Sequence, residues 1–237
     1  MPIVSIIMTH WGMNDFRSET MRRCLESIIT TTNHVQAEII VVDNGFNLED
    51  SKYLLELAQN KKIQFYVRNS ENLYFGYARN QGLALSCGEY LVFTDNDIEY
   101  RRGWIELGLD LLEAYPGEKL AFTPLRADRT HRNVHYWRGN IIHRDTTYLT
   151  NSRAGSNSWL IRRKDFDKIG HGRFINHRID GSWWQDDFVN SGFRMITMED
   201  PLATDMGFKK GYNLKMKVNI VKSFTNGDTL GINEKGP

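Results

Sequence analysis

Four short apolar runs, spaced by helix-length segments, constrain this chain more than any other feature. They are "IVSIIMT" (3–9), "AEIIVVDNG" (37–45), "IQFYV" (63–67) and "EYLVFTD" (89–95). A strand with one wet face alternates apolar with polar, so the continuous run at 3–9 predicts a strand buried on both faces and 37–45 a second buried strand, while 63–67 and 89–95 read as the third and fourth strands. The segments between them carry a helical period. Residues 18–32 place Met21, Leu25, Ile28 and Ile29 on one face, and 47–60 opens on polar residues. Residues 76–88 close at Gly88, and 103–117 turn Trp104, Leu107, Leu111 and Leu112 inward before stopping at Pro116. Strand then helix, four times over, predicts an α/β fold with a mostly parallel sheet flanked by helices.

The second half is less regular. Strands are expected at 119–125, 156–163 and 192–199, with a short helix over 164–170. Residues 126–153 are polar, rich in Arg, His and Tyr, and lack a period, which predicts loop. The tail from Gly207 carries lysines at 209, 210, 215, 217 and 222 and reads as a solvated segment or a lid closing over a ligand. No linker separates the halves, and 237 residues with 41% hydrophobic content suffice for one sizeable core. The expected organisation is a single domain: a ligand-binding half (1–125), a second subregion (126–206) and a tail (207–237).

Bulk properties exclude several classes. A net charge of +1 gives no global field for nucleic acid, so none is expected as a partner. Two cysteines, Cys24 and Cys87, make no disulfide framework; both are expected on buried helix faces in a reducing, cytoplasmic setting. "MPIVSIIMTH" reaches His10 too soon for a signal peptide, and no run approaches the roughly 20 apolar residues of a spanning helix. Peripheral membrane contact stays open.

In parallel sheets, ligands bind beyond the carboxyl ends of the strands. Four polar features fall there: Thr9 and His10, Asp43 and Asn44, Arg68 and Asn69, and Asp95-Asn96-Asp97. The last supplies hard carboxylate oxygens suited to Mg²⁺ or Mn²⁺, though Asp and Asn also favour solvated turns. His131, His135 and His143 have spacing that could hold zinc but lack a nearby Cys or acidic ligand, so acceptor contact or plain exposure is the stronger reading. Arg126, Arg129, Arg132, Arg138 and Arg144 form either a solvated basic loop or a contact for an anionic acceptor.

The stretch "ENLYFGYARNQGLALSCGEYLVFTDND" (71–97) resembles the family-2, inverting, nucleotide-sugar glycosyltransferases of the GT-A type. The matching residues are Asn72, Phe75-Gly76, Ala78-Arg79-Asn80, Gly82, Gly88-Glu89-Tyr90 and Asp95-Asn96-Asp97. "VSIIMTHW" and "EIIVVDNG" are similar to the family's first two strands, and "GSNSWLIRRKDFDKIGHGRF" (155–174) to its later segment. The resemblance implies a GT-A fold with a smaller acceptor-binding subregion. It implies a nucleoside diphosphate sugar donor, with UDP favoured, and a glycan, lipid-linked or protein acceptor. It also assigns roles. Thr9 would lie by the nucleobase and Asp43 by the base or ribose. Asn72, Arg79 and Asn96 belong to the nucleotide-sugar site, and Asp95 would hold the ribose and support the metal. Asp97 would bind Mn²⁺ or Mg²⁺, which stabilises the charge on a leaving diphosphate.

The reaction also needs a base for the acceptor hydroxyl. In "GSWWQDDFVNSGFRM" (181–195) Asp186 matches the family's carboxylate and Asp187 is its near rival; a helix cap is the alternative role for either. Gln185 stands where the family commonly has Glu, and the following helix is shortened. Trp183 and Trp184 are a candidate sugar platform or core residues. Asp205 stands near the place of the family's third metal ligand, usually His, and is otherwise a turn residue. Two rival functions remain in view. One is a nucleotide- or sugar-binding module that kept the fold and lost the base. The other is a nucleotidyltransferase, disfavoured because "MTHWGMNDFRSE" has one glycine where a glycine-rich, basic loop is expected.

Overall fold

The computed structural model describes residues 3–45, 47–124, 139–144, 146–151, 157–169, 172–174, 187–198 and 201–207. Strands β1 (Val4–His10), β2 (Ala37–Asp43), β3 (Phe65–Arg68) and β4 (Tyr90–Thr94) lie in the order β3-β2-β1-β4, all parallel. The sheet continues through β9 (Ser158–Arg162), antiparallel to β4, then β6 (Leu120–Phe122) and β10 (Arg194–Met198), parallel to each other. A hairpin, β7 (Gly139–His143) and β8 (Thr146–Asn151), completes it by pairing β8 with β10. Among the described strands of this sheet, only β8 and β9 run against the rest, as the expected mostly parallel sheet requires.

Period-two alternation divides the core into two layers. Val4, Ile6 and Met8 of β1, with Ile39 and Val41 of β2, pack under α1 (Asp15–Thr31), α2 (Leu48–Gln59) and α4 (Trp104–Ala114). Ile7, Ile40, Leu91 and Phe93 face the other way, toward α3 (Tyr74–Leu85) and α5 (Arg163–Phe166). Helix α1 buries Met21, Cys24, Leu25 and Ile28, a stripe at helical spacing, and Asn14 caps it by accepting from Arg17 N at 3.0 Å. Gly82 lets α3 lie close on the sheet. A Cβ there would stand 2.5 Å from Ile7 Cγ2, so the glycine of "ARNQG" is set by helix-to-strand distance.

Several expectations are corrected. Residues 126–153 are not all loop: β7 and β8 fall within them, with Tyr148 and Thr150 buried on one face. Helix α1 begins at Asp15, three residues before the expected start, because Asn14 supplies the cap. Helix α3 ends at Leu85, so Gly88 does not close it. Cys87 is exposed beyond that helix, while Cys24 is buried on α1 as expected. Two short strands, β5 (Ile98–Tyr100) and β11 (Ala203–Asp205), pair antiparallel as a separate sheet that the sequence did not announce. None of the helices among the described residues is long and apolar enough to cross a membrane.

Candidate active site

The carboxyl ends of β1, β2 and β4 gather the polar residues, and alternation decides which layer each one faces. His10 continues the Val4–Ile6–Met8 face and meets α2: its Nε2 lies 3.0 Å from Asp50 Oδ2. Its Nδ1 lies 2.8 Å from Asn96 Nδ2. With the amide in this orientation, Asn96 donates to Nδ1, and the proton on Nε2 goes to Asp50. Ser18 of α1 donates to the same Asp50 Oδ2 at 2.6 Å, and Arg22 reaches Oδ1 at 3.3 Å. Burial pushes Asp50 up, but the bonds from His10 and Ser18 and the charge of Arg22 hold it below its ordinary value.

Asp95 faces the other layer. Its Oδ1 accepts from Arg79 NH2 at 2.8 Å. Arg79, on α3, is 1% exposed and its guanidinium lies 4.8 Å from the Phe75 ring centroid and 5.4 Å from that of Phe174. Burial lowers the Arg79 pKa, and Asp95 works against that shift. Asp95 keeps 34% of its side-chain surface accessible. Burial pushes its carboxyl up to about 7, Arg79 pulls it down, Asp97 and Asp205 push it up, and Arg17 pulls it down.

Asp97 is nearly enclosed, and its Oδ2 accepts from Arg17 NH1 of α1 at 2.5 Å. The small β5–β11 sheet explains why Asp205 comes near. Asp205 pairs with Ile98, and Met206 N donates to Asp97 O at 2.8 Å. Asn157 joins the group: its carbonyl accepts from Asp95 N at 2.8 Å and its amide donates to Asp205 Oδ2 at 2.9 Å. Gly207 lines the same space. A Cβ on it would stand 2.4 Å from Asp97 Oδ2 and 3.2 Å from Asp205 Oδ1, so these two oxygens flank one small gap.

That gap tests whether a divalent ion suits the residues present. Among the described residues no group of three or more His, Cys, Asp or Glu side chains forms a ready metal cage. Mg²⁺ and Mn²⁺ do not require one: one or two carboxylates plus phosphate and water oxygens are their usual shell in nucleotide sites. Asp97 and Asp205 supply hard oxygens to one small gap that the absent side chain of Gly207 leaves open, and they fit such an ion.

The remaining expected residues are placed as follows. Thr9 is buried on the α3 side of β1. Asp43 is held inside the fold: its Oδ1 accepts from Gly45 N at 2.9 Å, its Oδ2 from Ser51 Oγ at 2.7 Å and from Tyr66 OH at 3.1 Å. Asn72 sets the start of α3 by accepting from Tyr74 N at 2.8 Å. Asn96 points to His10, away from the gap between Asp97 and Asp205. Asp187 opens a helical turn at 187–190, where its carbonyl accepts from Ser191 N at 2.9 Å. Asp186, Trp183 and Trp184 lie outside the described residues, as do His131, His135, Arg126, Arg129, Arg132, Arg138 and the tail from 208. His143 and Arg144 both reach Asp110 at 2.8 Å, so these two serve an ion-pair cluster.

Sequence reasoning missed Arg17, Asp50, Asn157 and the role of Asn80. The Asn80 amide donates to Phe174 O and accepts from Phe174 N, both at 2.8 Å. This pair of bonds ties α3 to the segment leading toward residues 175–186. The only local hint was that Asn80 sits one residue after Arg79.

Comparison with known proteins fits this geometry. A family model described as "Glycosyl transferase family 2" matches residues 5–178. The glycosyltransferase GlyA of Streptococcus pneumoniae serotype 4 is 35% identical over 103 residues, 44% of this chain and 13% of that protein. The fold resembles a mannosyltransferase from Pyrobaculum calidifontis solved with GDP-Man and Mn²⁺. That likeness has a TM-score of 0.67 at 17% identity over 96% of this chain and 65% of the other. It also resembles GalNAc-T7 solved with UDP, GalNAc and Mn²⁺, with a TM-score of 0.59 at 13% identity over 84% of this chain and 42% of the other. The chain spans between 12% and 32% of the length of the curated relatives it matches.

Proposed function

This chain belongs to glycosyl transferase family 2, with the GT-A fold, and on that premise we propose that it transfers a sugar from a nucleoside diphosphate donor to an acceptor hydroxyl. The donor is a UDP-sugar and the transfer inverts the anomeric centre. The observation that carries the reading is the convergence of Asp95, Asp97 and Asp205, with Arg79 and Arg17, at the carboxyl end of β4. Carboxylates alone would repel a diphosphate. Carboxylates set to hold a cation, with two arginines beside them, can accept one.

Each residue has a task in this reading. Asp97 and Asp205 hold Mn²⁺ or Mg²⁺, which when bound offsets the negative charge that develops on the departing diphosphate. Asp95 orients the ribose, and Arg79 fixes the Asp95 carboxylate. Thr9 and Asp43 border the base and ribose, and Asn72 and Asn96 support the loops on either side. Asp186 takes the proton from the acceptor hydroxyl as the new bond forms, with Asp187 as the alternative base. Trp183 and Trp184 offer a platform to the acceptor sugar, whose carrier is a glycan, a lipid-linked saccharide or a protein.

The test is turnover. Released UDP is measured with UDP-sugars, Mn²⁺ and a panel of sugar acceptors, in wild type, Asp186→Asn and Asp187→Asn. The reading expects loss of turnover in one of the two variants with nucleotide binding kept. A chain that binds UDP and never releases it from a UDP-sugar is a binding module, and the enzymatic reading is then wrong.

A further inference from the structure

We propose that Arg17 is a donor-binding residue: its guanidinium leaves Asp97 for the diphosphate when the nucleotide sugar and its cation arrive. This rests on the donor reading above. Arg17 belongs to no motif in the sequence and lies 80 residues from its partner. It stands in the first turn of α1, where Asn14 fixes its backbone by accepting from its N–H at 3.0 Å. From there its side chain reaches across to Asp97 Oδ2 at 2.5 Å with only 16% of its surface accessible. Its charge is also felt at Asp95. A permanent cation is therefore inserted between the helix start and the acidic strand end, on the carboxylate best placed to hold a metal.

Two cations cannot share that carboxylate at full strength. Asp97 Oδ2 both accepts from Arg17 and borders the gap it shares with Asp205. If Asp97 and Asp205 commit their oxygens to a divalent ion, like-charge repulsion and lost lone pairs weaken the Arg17 contact. The anion that accompanies the ion is a diphosphate. A guanidinium matches phosphate oxygens through two parallel N–H donors, and its long stem allows the change of partner without moving α1. Before donor binding Arg17 neutralises Asp97; afterwards it faces the leaving group.

An ion pair that merely braces the fold makes a different prediction, so the experiment has two arms of opposite sign. Mn²⁺ affinity of EDTA-treated, nucleotide-free protein is measured by electron paramagnetic resonance for wild type, Arg17→Gln and Arg17→Lys. UDP and GDP affinity is then measured by calorimetry at saturating Mn²⁺. Arg17→Gln is expected to bind Mn²⁺ about tenfold tighter and the nucleoside diphosphates at least about tenfold more weakly, the scale of one charge-assisted contact. Arg17→Lys keeps the charge without the paired donors and is expected to fall between them on both readouts. If Arg17→Gln loses a cooperative melt, Arg17→Lys carries the test, with nucleotide affinity down several-fold and Mn²⁺ affinity not reduced. Weakening of both ligands, or no change in either, overturns the assignment. Wild type that binds neither UDP nor GDP contradicts the donor reading itself. Wild type that binds them no better than Arg17→Gln contradicts the Arg17 assignment alone.

Discussion

His10 Nδ1 lies 2.8 Å from the side-chain nitrogen of Asn96, so the middle residue of Asp95-Asn96-Asp97 is a strut. The first strand thereby grips the acidic loop from below, and Asp50 grips His10 in turn at 3.0 Å. Replacing His10 by Ala leaves two buried polar groups short of a partner. Each such loss costs about 1–3 kcal/mol. The variant is expected to unfold at lower urea concentration by that order, and to bind Mn²⁺ more weakly because the loop carrying Asp97 loses its support. Unchanged Mn²⁺ affinity in a folded His10→Ala protein would remove the strut role.

The raised carboxyl of Asp95 sets a pH dependence. An unfolded Asp titrates near about 3.9, whereas burial puts Asp95 at about 7 in the fold. A folded pKa above the unfolded value contributes stability that is full below about 4 and is lost as pH rises through about 7. Asp50 works the other way: its lowered carboxyl contributes stability above its unfolded value that is lost in acid. Protein treated with EDTA is therefore expected to lose this Asp95 contribution between about pH 4 and 7, a slope absent in Asp95→Asn. Because a proton competes with the cation for this acidic end, Mn²⁺ affinity should rise with pH up to about 7, at most about tenfold per unit. Chemical denaturation and Mn²⁺ titration across pH check both signs.

Gly82→Ala tests the seating of α3. The added methyl meets Ile7 Cγ2, a stiff, buried, β-branched side chain, at 2.5 Å. Overpacking of this kind costs about 1–3 kcal/mol. A fall in melting temperature is expected together with weaker UDP binding, since Arg79 rides on the same helix one turn earlier. A protein of full stability and affinity would show that α3 is free to lift from the sheet.

Asn80→Ala separates donor binding from chemistry. It removes both hydrogen bonds to Phe174 and leaves the Arg79–Asp95 pair in place. Nucleotide affinity should hold within about threefold, while kcat drops by about tenfold or more, the scale of losing positioning near a reacting group. Equal loss of both would mean that Asn80 serves the donor site.

Legibility followed the physics of each segment. Strands β1, β2 and β4 are buried on both faces, and continuous aliphatic runs announce that directly. The β7–β8 hairpin buries Tyr148 and Thr150, whose alternation is carried by Thr and Tyr and so looked like loop. Strands β5 and β11 are three residues each, too short for any period. Their pairing is what brings Asp205 beside Asp97, so Asp205 was found through resemblance and explained only by the fold. Arg79 and Asp95 belong to one local motif and could be read together. Arg17 and Asp97 are joined by chain topology alone, and no pattern within a window of sequence reports such a pair.

The central claim is that Asp97 and its neighbours bind a nucleoside diphosphate through a divalent cation. Calorimetric titration of UDP into wild type and Asp97→Asn, each with Mn²⁺ and with EDTA, tests it most directly. The account predicts UDP binding by wild type in Mn²⁺, with affinity lower by at least about tenfold in EDTA and likewise in Asp97→Asn. UDP binding that is equally tight in EDTA, or that survives intact in Asp97→Asn, would contradict it.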